Sequence, residues 1–316
     1  MIVHHGTTLW RALKSDWPAL VYFLALSLAV EFVYEYTPLA HTTTLPTLPM
    51  GVLITALSIF LAFQINQCYE RWWEARQLWG QLVNASRSFG RQVTTLLTAG
   101  RIASLGDEQA AWRLQKELVY RLIAYVHALR ISLRHGQPAE EDWQLLSSWL
   151  PPDEIQRLHQ ARNVPTQILQ HQGRRLASVI GKDIAEQQIL LQIDMTLNQI
   201  YEVQGGCERI KRTAFPDRFR FHTHLFVWLV ATLIPFSLIQ TDQRFDVAAI
   251  LAEALLAFIL VTIERLGSEL RDPFENKVND VPMTALCRII EIDLRQQLEE
   301  RDALPEPLSA VAGVLL

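Results

Sequence analysis

Cysteine is scarce: three residues in 316, Cys68, Cys207 and Cys287, far apart and odd in number. That excludes a disulfide framework, and the spacing fits no zinc or redox motif, so free thiols in a reducing compartment are expected. Catalytic signatures are missing too. There is no phosphate loop, no dinucleotide fingerprint, no His-Glu-x-x-His and no Gly-x-Ser-x-Gly. An enzyme is not expected, and neither a metal nor a cofactor is implied. Basic charge is not in excess either. The net charge is −4 and the pI near 6.1, which gives no footprint for a nucleic-acid partner. The first ten residues lack a basic stretch, short apolar core and small-residue cleavage site in succession, so no removable signal peptide is expected. Nothing alternates with period two over a useful length, and no internal repeat or low-complexity stretch is evident. The expected class is all-α.

What is present is apolar surface of uneven distribution. Half of the chain is hydrophobic, yet 20% is charged and the mean hydropathy is only +0.11, so one part suits a membrane and another water. Four runs suit membrane spans: residues 17–34, 48–63, 225–239 and 247–263. A span needs about 20 residues, so the second and third require their polar shoulders or partial burial in protein. The competing reading, core helices of a soluble all-α protein, must hide two such pairs in one short chain. Basic residues decide between them. Arg11 and Lys14 precede the first run, and Arg71 and Arg76 follow the second. Arg209, Lys211, Arg212, Arg218 and Arg220 lead into the third, while Arg265 and Arg271 follow the fourth. The two short loops, 35–46 and 240–246, contain a single Arg244. By the positive-inside rule, both termini and the long middle segment are cytoplasmic. The expected plan is a multi-pass inner-membrane protein surrounded by membrane lipid. It has a first hairpin (1–66), a cytoplasmic helical region (67–220), a second hairpin (221–266) and a cytoplasmic C-terminal helix and tail (267–316).

The middle of the chain has helical spacing. Trp72, Trp79, Leu82, Val83, Phe89 and Val93 recur at three and four, which predicts that the second span continues as one long helix over 67–98. A second amphipathic helix is expected over 108–133, a short one over 140–149, another from Pro151-Pro152, and a long one over 175–203 stopped by Gly205-Gly206. The last dozen residues, beyond Pro305 and Pro307, read as a tail. His4-His5 is a terminal pair, while His222 with His224, at the mouth of the third run, are more simply interfacial polar groups than metal ligands. Glu253 is different, because a carboxylate within a span is costly. It is either a functional group or a proton-bearing, hydrogen-bonded residue packed on a neighbouring helix.

Three segments resemble the bestrophin channel family. Residues 56–80, ALSIFLAFQINQCYERWWEARQLWG, carry an aliphatic-Phe span followed by Tyr69-Glu70-Arg71 and Glu74-Ala75-Arg76 to Trp79-Gly80. Residues 200–216 hold a Gln-Gly-Gly-Cys-Glu-Arg-Ile core, and residues 269–294 hold Asp-Pro-Phe, Asn-Asp-x-Pro and Ile-Glu-x-Asp-Leu. In order, with the four-span plan, the resemblance covers nearly the whole chain. It implies a homopentamer around one axial pore, passing small inorganic ions. It also implies a neck lined by Thr55, Ile59 and Phe63, with Thr55 in place of the usual aliphatic residue. Positions i, i+4 and i+8 share a helix face, and an apolar ring can gate by losing its water. The stretch 189–192 is similar to the segment that forms a cytosolic constriction in animal members, which points to Ile189. Animal members also hold calcium in an acidic loop after the fourth span. Here Glu275 replaces its glycine and Lys277 stands where a carboxylate would coordinate. No calcium activation of that kind is expected, and Asp272 and Asp280 are expected to cap helices and pair with basic residues.

The leading reading is therefore an ion channel: a chloride channel by analogy with animal relatives, although bacterial members can pass cations. A secondary transporter would need inverted repeats and a midplane site; the hairpins share no visible similarity, and only Glu253 could serve. A membrane-anchored interaction scaffold would leave Ile59 and Phe63 dispensable for ion flux.

Overall fold

A computed structural model describes residues 8–37, 45–213, 217–238, 246–300 and 304–310. His4, His5 and Arg244 lie outside the described residues. Among those described there is no strand. The helices are α1 (Thr8–Tyr36), α2 (Thr47–Leu96), α3 (Glu108–His135), α4 (Glu140–Ser147), α5 (Pro152–Leu158) and α6 (Val164–Val179), followed by α7 (Ile184–Arg212), α8 (Asp217–Leu233), α9 (Pro235–Leu238), α10 (Val247–Leu270) and α11 (Met283–Gln297). They fall into two units. The apolar unit takes the described residues of Ile2–Trp72 and Ala214–Asp272, and the amphipathic unit those of Trp73–Thr213 and Pro273–Leu316.

The apolar unit is built on α1, which packs along α10, while α10 also packs along α8. Its core joins Phe23, Leu57, Leu61, Val227, Ala231, Ala254, Ala257 and Leu260. Ala254 and Ala257 are small residues on the buried side of α10, the type that lets apolar helices approach closely. A Cβ on Gly267 would come within 3.0 Å of Ile65 Cγ1, another close approach. Among the described residues, three helices are long and apolar enough to cross a membrane: Trp17–Tyr36, Pro49–Leu96 and Val247–Leu270. The run at 225–239 is divided. Helix α8 has 17 residues and stops at Leu233, before Pro235 opens the four-residue α9. Proline lacks the N–H that would continue the helix and clashes with the preceding turn.

The amphipathic unit is arranged around α3, which touches α4, α6, α7 and α11. Its core gathers Trp79, Leu82, Phe89 and Val93 from α2, Leu118, Leu122 and Tyr125 from α3, and Ile193, Ile200 and Ile290 from α7 and α11. Helix starts are chemically marked: Asp107, Asn163 and Asp183 each accept a backbone N–H of the first turn of α3, α6 and α7. Helix α3 ends at Gly136, whose φ of 83° suits a residue without Cβ. The helix expected over 175–203 is in fact two. The break falls at Gly181, whose N–H donates to Glu186, and the second helix continues through Gly205-Gly206 to Arg212. Gly206 is a packing residue here, since a Cβ would stand 2.9 Å from both Leu78 methyl carbons. A glycine tolerated for close approach does not end a helix.

Candidate functional site

Helix α2 has a covered side and a bare side. Met50, Leu57, Leu61, Gln64 and Cys68 are buried, at the three- and four-residue spacings, or sums of them, that keep a helix face in line. Thr55, Ile59 and Phe63 are exposed on the other side. Each step of four residues turns about 40° past a full revolution, so the three form a slightly slanted stripe. The Thr55 hydroxyl donates to the Gly51 carbonyl at 2.8 Å, so its hydrogen bond is spent on its own helix. That lowers the polarity of the threonine and brings it nearer to the aliphatic residue it replaces. The stripe turns polar one turn beyond Phe63. There Asn66 Nδ2 donates to Glu70 Oε1 at 2.9 Å, and both residues are exposed. Sequence reading alone had not singled out Glu70, although its i+7 spacing from Phe63 was available as a signal.

Glu253 lies elsewhere. It is 2% exposed within α10, facing Ser27 and Glu31 of α1, and its Oε1 has no hydrogen-bond partner among the described residues. The residue is packed between helices and is not displayed on an open face.

On α7, Ile189 is half-buried and packed against the core of its own unit. The apolar side chains that stand clear of that helix are Ile184, Leu191 and Met195. These fall at intervals of seven and four, again one helix face.

The loop after α10 is held by ion pairs and backbone bonds. Arg271 Nε meets Asp272 Oδ2 at 3.1 Å, and Lys211 Nζ meets Glu275 Oε1 at 2.6 Å. Asn276 takes a φ of 66°, a left-handed position that asparagine tolerates. Asp280 is buried and accepts the Lys277 N–H at 3.0 Å, closing this turn; the cap position of α11 belongs to Pro282. Burial pushes the Asp280 carboxyl above its ordinary range, against the pull of the Lys277 and Glu275 amides. Among the described residues no group of three or more His, Cys, Asp or Glu could hold a metal ion. His224 pairs with Glu264 at 3.4 Å, and His222 sits edge-on to Phe221 at 5.6 Å. The three cysteines are buried and free. Burial raises Cys207 and Cys287 to about 12, which makes both poor nucleophiles.

The family described as Bacterial/Fungal Bestrophin protein matches residues 10–296. The chain is 34% identical over 303 residues to the voltage-dependent anion channel-forming protein YneE of Escherichia coli (strain K12), covering 96% of this chain and 91% of the relative. A second relative, the voltage-dependent anion channel-forming protein RSc3414 of Ralstonia nicotianae, is 29% identical over 308 residues, covering 97% and 95%. The fold is similar to the crystal structure of a bacterial bestrophin homolog from Klebsiella pneumoniae. The TM-score is 0.77 at 24% identity, over 90% of this chain and 98% of that one.

Proposed function

The chain belongs to the bacterial and fungal bestrophin family, and from that premise we propose that it is one subunit of a homopentameric ion channel. The axial neck is formed by Thr55, Ile59 and Phe63 from each of five copies. One observation carries this reading. In a unit whose other face of α2 is packed, these three side chains are left uncovered in a line, with the threonine hydroxyl turned back on its own helix. An apolar ring of this kind admits ions when it is wide or wetted and excludes them when dry. Family membership also sets an enzymatic role aside.

The channel sits in the bacterial inner membrane and crosses it four times, the divided α8–α9 segment being the third crossing. Both termini, the region 67–220 and the C-terminal part 267–316 are cytoplasmic, with the hairpins 1–66 and 221–266 in the lipid. A second constriction lies on α7. Ile189 is the residue the family resemblance indicates, and Leu191 and Met195 are the uncovered side chains beside it.

Small monovalent ions are the cargo. The relatives' names make anions the first to test, and chloride the first among them. The neck itself has no sign, so selectivity is set at its mouths, where Glu70 adds a carboxylate on the stripe and gives cations a local advantage. Planar-bilayer recording of the purified protein under a salt gradient tests the proposal. A reversal potential near either equilibrium value supports a channel and assigns its sign. Absence of current from a confirmed pentamer, across many fusions, counts against passive conduction.

A further inference from the structure

The apolar unit holds a groove of about 560 Å³ between the middle of α1, the middle of α8 and the C-terminal part of α10. Its walls include Tyr22, Trp228 and Val261, and its charged or ionisable residues are His224, Glu264 and Arg265, with the hydroxyls of Thr262 and Ser268 beside them. The aromatic rings form a row, with Tyr22 and His224 lying 5.8 and 5.9 Å from Trp228 between ring centroids. Glu264 is the unusual member. It is 8% exposed and lines an apolar groove, and its side-chain contact is the His224 ring at 3.4 Å. Arg265 is half-exposed at the rim and pairs with Glu269 at the long distance of 3.8 Å. The groove therefore offers one deep carboxylate, an aromatic row beside it, a peripheral guanidinium and an apolar wall.

Each element matches part of one kind of molecule. A carboxylate next to aromatic faces suits a cation that can donate hydrogen bonds. A guanidinium at the rim suits a phosphate. The apolar wall suits an acyl chain, and the groove lies where the apolar runs of α1 and α10 end, at the level of lipid headgroups. An anionic headgroup would set its charge against Glu264, and a quaternary ammonium would give that carboxylate no donor beyond the His224 ring. We infer that the groove binds a phospholipid with a primary-ammonium headgroup, the ammonium at Glu264 beside Trp228 and the phosphate at Arg265. The assignment rests on the membrane reading above, but not on which ion passes or on the neck residues.

The test is native mass spectrometry of the full-length protein, released from detergent after exposure to equal amounts of three phospholipids of identical chains. These carry phosphoethanolamine, phosphocholine or phosphoglycerol. Phosphoethanolamine lipid should be retained in preference to both others. Glu264→Gln should reduce that retention about tenfold, the factor expected for one lost charge-assisted hydrogen bond. Tyr22→Leu, an exposed position that leaves the carboxylate in place, should weaken retention while the protein stays monodisperse. Equal retention of the three lipids, or retention unchanged in both variants, would overturn the assignment. Bilayer currents from the same preparation keep the two ideas apart: a conducting protein that shows no headgroup preference removes this inference alone.

Discussion

Ile59 and Leu61 stand two residues apart on α2 and face opposite ways: Leu61 is 1% exposed in the core of the apolar unit, and Ile59 is 55% exposed. The same residue class thus serves two ends within one helical turn. Ile59→Ala should raise conductance or relax selectivity with little change in thermal stability, and Phe63→Ala should do the same. Leu61→Ala should lower the melting temperature by leaving a cavity. Single-channel recording with a thermal melt of each variant checks this. Unchanged currents in both Ile59→Ala and Phe63→Ala would remove the neck assignment.

At the polar end of the stripe, Glu70→Gln should move the reversal potential toward the anion equilibrium value, because it removes a carboxylate from the mouth of each subunit. Recording in asymmetric salt reads the shift. Raising ionic strength should shrink the difference between the two proteins, since screening shortens the reach of an exposed charge.

On α7, Leu191→Ala and Met195→Ala should alter ion flux more than they alter stability, and Ile189→Ala should do the reverse. Ile189 packs on the core and its two neighbours stand clear. If Ile189→Ala alone changes the current, the constriction is at the residue indicated by family resemblance.

Acid should destabilise the amphipathic unit through His127. Burial, with Arg130 and Arg288 nearby, lowers this histidine to about 3 from the usual 6.5 or so. A depressed pKa means that folding favours the neutral ring. The stabilisation is complete above about pH 6.5 and is lost as pH falls toward 3. By pH 5 the loss is about 2 kcal/mol. His127→Gln should flatten the acid limb of a plot of melting temperature against pH.

The Arg121–Glu154 pair tests how a buried charge is held. Arg121 donates from Nε to Glu154 Oε1 and from Nη2 to Oε2, both at 3.0 Å, and His171 Nδ1 lies 2.9 Å from the same carboxylate. Arg121→Met alone should cost about 3–5 kcal/mol, because it strands a buried carboxylate. Adding Glu154→Leu should restore part of the loss, measured as melting temperatures of the single and double variants.

The helical class was legible from the chain. No stretch alternates with period two, three of the four apolar runs lie on helices long enough to cross a bilayer, and Trp79, Leu82, Phe89 and Val93 recur as one face that is indeed buried. The break before Asp183, whose carboxylate caps α7, was not legible, because helical spacing runs through it from 175 to 203. Gly205-Gly206 misled, because a glycine that ends a helix and one that admits a neighbour look identical until Leu78 is seen above it.

Within the apolar unit, sequence could establish only that side chains were apolar. In water, periodicity separates a covered face from a wet one, because only one of them is hydrophobic. In lipid both faces are apolar, and the pattern that would tell Ile59 from Leu61 is erased. Only packing of the helices decides which of them is left bare. The same holds for His224 and Glu264, forty residues apart in the chain and brought to 3.4 Å in one groove. Composition and run length determined which parts of the chain are apolar enough for a membrane; tertiary structure decided which residues meet one another and which are left uncovered, because only packing distinguishes two faces that are both apolar.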